Sequence, residues 1–443
     1  MAEVRPFRGI RYNSERVHIE TVVAPPYDVI NSNQRDALYE RSPFNIVRLI
    51  LNKEEAGDIA PYQKHARAAL CLKQWLNEGI LIQDKLPSIY LYNKEFDYNN
   101  KRVTRLGFMV RLRLEDDEKG IVYPHENTLA KPKEDRLMLT RMVKANMSPI
   151  FGFYEPSDQS LEEHLRAYAR TNQPVADMHT EPDDVRHRLW LIPEGELTRA
   201  VVKELEHKKI FIADGHHRYE VARMFRDEMR KTLGRPTPQD FDYILCYLTP
   251  LREESVAILP IYRLVMGAEC GDTQQFVGRL EKLFTVTKMD SLQHCLAALE
   301  THQEHSYVYG VYLPQDACYF LFPKDVVFLQ KRLTEKKVPE ALKVLGVTVL
   351  HRIIFEELLE TGSDPSLHSL QISYTRDLMH AKTLVDIHDQ QALFLINPTR
   401  AEHVKEVASQ GEKMPPKSTY FYPKALSGLV INRFDSLQDV ATV

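Results

Sequence analysis

The sequence is poor in the features of a stapled, membrane-bound or nucleic-acid-coating protein. Only five of its 443 residues are cysteine: Cys71, Cys246, Cys270, Cys295 and Cys318. They are scattered, odd in number and never spaced C-x-x-C, which argues against a disulfide framework and fits a reducing compartment; a cytoplasmic protein is the expectation. No apolar run approaches the ~20 residues of a membrane-spanning helix. The first residues, MAEVRPFRGIRY, lack the apolar stretch of a secretory signal, so no membrane partner is expected. Neither sign of charge dominates, since 58 Lys and Arg against 62 Asp and Glu give a formal net charge of -4. A chain built to coat nucleic acid would be basic, so nucleic acid is not an expected partner. Common catalytic fingerprints are missing as well: there is no G-x-x-x-x-G-K-[ST], G-x-G-x-x-G, G-x-S-x-G or H-E-x-x-H. No internal repeat or low-complexity segment is present.

What remains is ordinary globular material, 43% apolar and 27% charged, long enough for roughly three domains. VVAPPYDVI reads as a short strand entering a proline turn, and SPFNIVRLIL as a strand after a turn. PYQKHARAALCLKQWLNEGIL carries apolar residues at helical spacing and stops at Gly79. SIYLYNKEF and RVTRLGFMVRLRL flank Asn99-Asn100, the signature of a hairpin. RHRLWLI, YILCYLTP and SVAILPIYRLV read as strands, and ELTRAVVKELEH and VTVLHRIIFEELLE as helices. SYVYGVYL and ACYFLF are expected to pair. In the tail, Thr399 and Glu402 form a capping box and Gly411 a helix stop. The class is α+β (mixed α/β).

One stretch stands out, KKIFIADGHHRYEVARMF. Ile210 to Ala213 form a short buried strand and Asp214-Gly215 a turn. After it, Val221, Phe225, Met229 and Leu233 recur every four residues, marking an amphipathic helix ended by Gly234 and Pro236. His216, His217 and Arg218 therefore occupy its first turn, where backbone N–H groups have no intrahelical partner and the dipole is positive. Basic residues there cost stability unless an anion binds, and Gly215 lets a ligand approach the backbone. The pattern points to a phosphate chain; a helix whose histidines bond locally is the alternative. Adjacent residues on a helix point about 100° apart, so the two histidines cannot chelate one zinc alone.

FIADGHHRYEVA resembles the signature of the domain of unknown function 1015 family. RPFRGIRYN, VVAPPYDVI, ERSPFNIVRLIL, PHENTLAKPKEDRL, NMSPIF, NPTRAEHV and MPPKSTYFYPK match it too, in order, over nearly the whole chain. The Asp-Gly-His-His-Arg element is also similar to a wider superfamily that includes the ParB-type nucleotide-binding domain, sulfiredoxin and free serine kinase. The resemblance implies a ParB/sulfiredoxin-like nucleotide-binding core from residues 1–60 and 185–266. It implies an inserted α+β segment over 61–184 and a further α+β domain over 267–443. It assigns Asp214, Gly215, His216, His217 and Arg218 to phosphate binding. The chain departs from the family pattern twice, with Tyr262 in PIYR and Arg376 in YTRD standing where the family has histidine.

Three further clusters are candidates. PHENTLAKPKEDRL holds His125, Glu126, Lys133, Asp135 and Arg136. Phosphoryl transfer needs a base for the attacking hydroxyl, for which Glu126 or His125 is suited, and cations for the moving charge, for which Lys133 and Arg136 are suited. A solvated loop ahead of a helix would carry similar charges. Asp28, fixed by the double proline, is placed to hold Mg²⁺ or a substrate amine, or to cap its own turn. Lys417 in KMPPKSTYFYPK could reach a phosphate, and the loop's aromatics could stack on a base or pin it to the core. The leading expectation is nucleotide-dependent phosphoryl transfer, in either direction, involving a small hydroxylated metabolite. Serine and phosphoserine are the pair that the likeness to free serine kinase suggests. The cofactors would be ATP or ADP, with CTP a further candidate, and Mg²⁺. A ParB-type nucleotide switch and a phosphatase are the alternatives, and a homo-oligomer is left open.

Overall fold

The computed structural model describes residues 2–60, 62–116, 119–124, 126, 130–234, 238–252, 256–268, 272–359 and 370–438. The fold is mixed α/β, in agreement with the class read from the sequence. The chain forms two compact units: Met1–Pro124 with Thr128–Ala257 and Pro423–Val443, and His125–Asn127 with Ile258–Tyr422.

The first unit is built on a nine-stranded sheet. Its strands are β1 (Val4–Arg5), β2 (Ser88–Tyr98), β3 (Lys101–Arg113), β4 (Val122–Pro124), β5 (Ile150–Tyr154), β6 (Ala176–Thr180), β7 (Val185–Pro193), β8 (Ile210–Asp214) and β9 (Tyr243–Pro250). They lie in the order β4-β8-β5-β9-β3-β2-β7-β6, with β1 added antiparallel to β3. The expected hairpin forms β2 and β3. Asn99 and Asn100 take φ of 49° and 57°, a left-handed pair that asparagine tolerates better than most residues. Every residue of β9 is buried, which explains why YILCYLTP shows a continuous apolar run rather than alternation. The sheet core includes Leu91, Phe108, Ile150, Trp190, Ile212 and Leu248.

A second core gathers around the helices α1 (Ser32–Arg41), α2 (Val47–Ile50), α3 (Gln63–Asn77) and α4 (Ala130–Val143), with Ile46, Leu49, Leu72, Trp75 and Leu139 inside. Here two expectations fail. SPFNIVRLIL is not a strand: it contains α2. Asn45 sets the turn, its side-chain oxygen accepting from the Val47 N–H at 3.0 Å while its amide donates to the Thr21 and Val23 carbonyls. An apolar run buried on every side carries no period that separates a helix from a strand. VVAPPYDVI is no strand either. Ile19–Val22 is helical, Ala24 makes a single bridge to Ser427, and Tyr27–Val29 is a 3-10 turn. Pro25 and Pro26 lack the N–H groups a ladder requires.

The second unit has a six-stranded antiparallel sheet. Its strands are β10 (Tyr262–Met266), β11 (Phe284–Met289), β12 (Tyr309–Leu313), β13 (Ala317–Pro323), β14 (Gln371–Thr375) and β15 (Ala392–Ile396), in the order β11-β13-β12-β15-β10-β14. The expected pairing of SYVYGVYL with ACYFLF is β12 on β13. The helices Leu292–Thr301 and Leu378–Asp386 contribute Cys295, Leu299, Ala381 and Val385 to its core. VTVLHRIIFEELLE is helical, but Leu350–Leu359 has the wider π pitch, to which a period-3.6 pattern is blind. The capping box is absent: the helix Ala401–Ser409 opens at Arg400 without a side-chain cap, and the Thr399 hydroxyl donates to the Ser418 carbonyl instead. No helix among the described residues is long and apolar enough to cross a membrane.

Candidate functional site

The strand-turn-helix read from the sequence is present in the first unit. β8 is buried throughout and runs parallel to β4 and antiparallel to β5. Gly215 follows at φ 90° and ψ 29°, and the helix α5 (His216–Leu233) starts at once, with no side-chain cap. A Cβ on Gly215 would lie 2.9 Å from Ile150 Cγ2 and 3.0 Å from Arg218 Cζ, so both conformation and space require glycine. The first-turn N–H groups of such a helix carry the positive end of its dipole.

Asp214 does not cap this helix. Its Oδ2 accepts from Arg218 Nη2 at 2.7 Å and its Oδ1 from Lys424 Nζ. Arg218 Nη1 donates to the Pro149 carbonyl. Burial alone would raise the Asp214 pKa, but the charges of Lys424 and Arg218 outweigh it and hold the carboxyl well below its usual range. Arg218 is likewise kept charged. Burial works against its guanidinium, and Asp214, then Asp28 and Tyr27, reverse the effect. His216 is buried and His217 half-buried. Lys94, fully buried, donates to the Pro423 carbonyl at 3.0 Å and lies 4.6 Å from the Tyr247 ring centre. Burial, with Arg105 next, pushes the pKa of this amine well down.

The Asp28 turn adjoins this arrangement. A small cavity is lined by Tyr27, Arg136, Ser148 and Arg218, among others, so the turn, α4 and α5 share one wall. The Arg136 guanidinium sits 4.4 Å over the Tyr27 ring, donates to the Ile50 carbonyl and pairs with Asp135. Asp135 also accepts from His65 Nε2 at 3.1 Å and lies 3.4 Å from Lys64. Burial would raise its pKa, yet the His65 hydrogen bond and the Arg136 charge hold it well below the usual carboxylate range. The Tyr27 hydroxyl is pushed up to about 12 by burial first and Asp28 second. Lys133 is engaged elsewhere, donating to Glu220 at 2.9 Å. A wider cleft of about 760 Å³ opens on the other side of Tyr27 and Arg136.

The remaining candidates belong to the second unit. Glu126 Oε1 accepts from the Lys417 N–H at 2.8 Å, and Glu126 bridges to Met414. Lys417 adopts φ 60°, and its carbonyl accepts from Arg263 Nη2 at 3.1 Å. Arg263 is 1% exposed, and burial lowers its pKa to about 10, countered by Tyr374 and Glu126. Tyr262, half-buried, pairs across the strands with Thr375, the residue before Arg376, so the two departures from the family pattern lie side by side. The Arg376 guanidinium stacks 3.6 Å from the Tyr420 ring centre. His125 lies outside the described residues.

The structure thus gathers Asp28, Asp135, Arg136, Asp214 and Arg218 in one unit, and Glu126 and Lys417 in the other. The sequence reading left Lys94 and Lys424 out of the site. A lysine amid the apolar residues of SIYLYNKEF was a legible signal for Lys94; Lys424 had none beyond its loop. Among the described residues, no group of three or more His, Cys, Asp or Glu side chains could hold a metal by itself.

A family model described as "Protein of unknown function (DUF1015)" matches residues 4–348, and the chain belongs to that family. No curated protein matches the sequence. Solved structures with which it shares overlaps include free serine kinase in complex with AMP, at 16% identity over 71% of this chain and 86% of that one, TM-score 0.33. A conserved hypothetical protein from Pyrococcus furiosus overlaps at 14% identity over 72% and 92%, TM-score 0.31. SbnI with a C-terminal truncation, from Staphylococcus aureus, overlaps at 11% identity over 75% and 90%, TM-score 0.34.

Proposed function

We propose that the chain binds the phosphates of a nucleotide at the amino end of α5 and moves a phosphoryl group between it and a small hydroxylated metabolite. One observation carries the reading: a long helix opens on a left-handed glycine, without a side-chain cap, beside a guanidinium that two carboxylates keep charged. Backbone N–H groups, the dipole and Arg218 together favour a phosphate chain. Asp214, occupied by Arg218 and Lys424, orients those cations rather than meeting the ligand.

The chemistry needs little from the protein beyond position and charge. In the forward direction the acceptor oxygen attacks the terminal phosphorus and the bond to the bridging oxygen breaks. The proton passes to Asp28, and the nucleotide, one phosphate shorter, leaves from the helix end. Arg136 stands across the shared wall to offset charge on the moving group. Glu126, in the other unit, accepts from the Lys417 N–H instead. Where Asp28 does not take the proton it would instead hold a Mg²⁺, because this ion commonly takes one or two protein carboxylates and completes its shell with phosphate and water. When bound it would neutralise phosphate charge. The reverse direction, from phosphoserine to serine, uses the same groups.

Phosphorus NMR with Mg²⁺ tests the reading. ATP, ADP and CTP are offered separately, with and without serine, and phosphoserine is offered alone. A phosphoserine signal that needs both nucleotide and serine, and disappears in Arg218→Ala, supports transfer. Nucleotide binding with no new phosphorus species favours the switch, and phosphate release from phosphoserine alone favours a phosphatase.

A further inference from the structure

We propose that the cleft of about 760 Å³ beside Tyr27 and Arg136 holds the metabolite, and that this metabolite is an anionic, hydroxylated molecule up to about sugar-phosphate size. The placement rests on the phosphoryl-transfer reading; the ligand class rests on the cleft alone.

Eight of the ten residues that line it carry a charged or amide side chain, with Leu51 and Tyr27 the exceptions, although carbon, largely on the stems of the long side chains and the Tyr27 ring, makes up more than half of the exposed lining. Four cations face the cleft: Arg35, Lys53, Lys64 and Arg136. Three carboxylates accompany them: Asp36, Glu54 and Asp135. All three carboxylates are already shared. Asp36 lies 2.7 Å from Lys53 and 3.6 Å from Arg35, Glu54 lies 3.3 Å from Lys64, and Asp135 serves His65, Lys64 and Arg136. The positive charge is therefore in excess at the walls, and the carboxylates that would attract a cationic ligand are taken.

Size bounds the class. Clefts of roughly 300–1,000 Å³ hold ligands up to drug size, so this one has room for a sugar phosphate as well as for a three-carbon acid. An apolar ligand leaves the charged heads of the lining side chains unmatched, and a neutral polyol leaves the excess charge unmatched. Direction follows from the shared wall. Tyr27 and Arg136 border both this cleft and the cavity that reaches Arg218. An anionic group held by Lys53 and Lys64 therefore leaves a hydroxyl facing the Asp28 turn.

Isothermal titration of the full chain without nucleotide decides the matter. The probes are D-ribose 5-phosphate, glycerol 3-phosphate and D-glycerate, with glucose and putrescine as neutral and cationic controls. At least one anion is expected to bind and the controls are not; the glycerate arm separates carboxylate from phosphate recognition. Lys53→Ala and, separately, Lys64→Gln should each weaken the bound anion about ten-fold or more, as loss of a charge-assisted contact does. Circular dichroism should be unchanged in both. Binding by none of the anions, binding that both variants leave intact, or tighter binding of putrescine would overturn the inference. A parallel ADP titration keeps the readings apart. Anion binding without ADP binding removes the nucleotide reading alone, and the converse removes this one alone.

Discussion

The amino end of α5 in the first unit is finished differently from three helix amino ends of the second. In the second unit, Asp377 accepts from the His380 N–H at 2.9 Å, Asp325 from Phe328 at 2.9 Å and Ser291 from His294 at 3.2 Å. These are side-chain caps of the usual kind. In the first unit, α5 is the longest helix among the described residues, at 18, and it opens on a glycine that has no side chain to offer. Asp214, one residue earlier and chemically suited to cap, is turned to Arg218 and Lys424. Lack of a side-chain cap alone does not set α5 apart, since Gln63–Asn77 and Ala401–Ser409 also open without one. What distinguishes α5 is the left-handed glycine at its start, with a nearby carboxylate turned to orient two cations.

The largest effect expected from breaking this contrast is at Asp214. Asp214→Ala leaves two buried cations without their carboxylate and should cost about 3–5 kcal/mol, read from urea denaturation at pH 7. The pH dependence has a definite sign. The folded pKa lies below the unfolded one, so the contribution is complete above the unfolded value of about 4 and is lost as pH falls through the folded value. The wild-type acid limb should therefore flatten in the variant. An unchanged limb would mean that the Asp214 pair adds nothing to folding.

Next comes Gly215→Ala. A side chain at φ 90° that also crowds Ile150 and Arg218 should cost about 1–3 kcal/mol and abolish ADP binding in a titration. Retained ADP binding would detach the nucleotide from this turn. The smallest effect sharpens the comparison from the other side. Asp377→Ala or Ser291→Ala should lower stability by about 1 kcal/mol and leave the ADP titration as it was, since those caps serve only the fold.

Much of this was legible in the residues. The Asn99-Asn100 hairpin, the helix ending before Gly79 and the strand, glycine turn and amphipathic helix around Gly215 all appear as read. Each has a local cause: a left-handed turn residue, a period or a stop. SPFNIVRLIL was misread because burial on all sides removes the period, and Asn45, which sets the turn, acts through carbonyls more than twenty residues away in sequence. The Thr399 box failed because the hydroxyl found a carbonyl 19 residues on.

The same division runs through the candidate site. By itself the sequence determined that a glycine-opened helix would carry His216, His217 and Arg218 in its first turn, because backbone geometry and amphipathic spacing are short-range. Only the tertiary structure decided that Asp214 would face Lys424, 210 residues away, that His65 would reach Asp135 across 70, and that Tyr27 would lie under Arg136. Such pairings depend on which strands and helices become neighbours, and residue spacing along the chain carries no record of that.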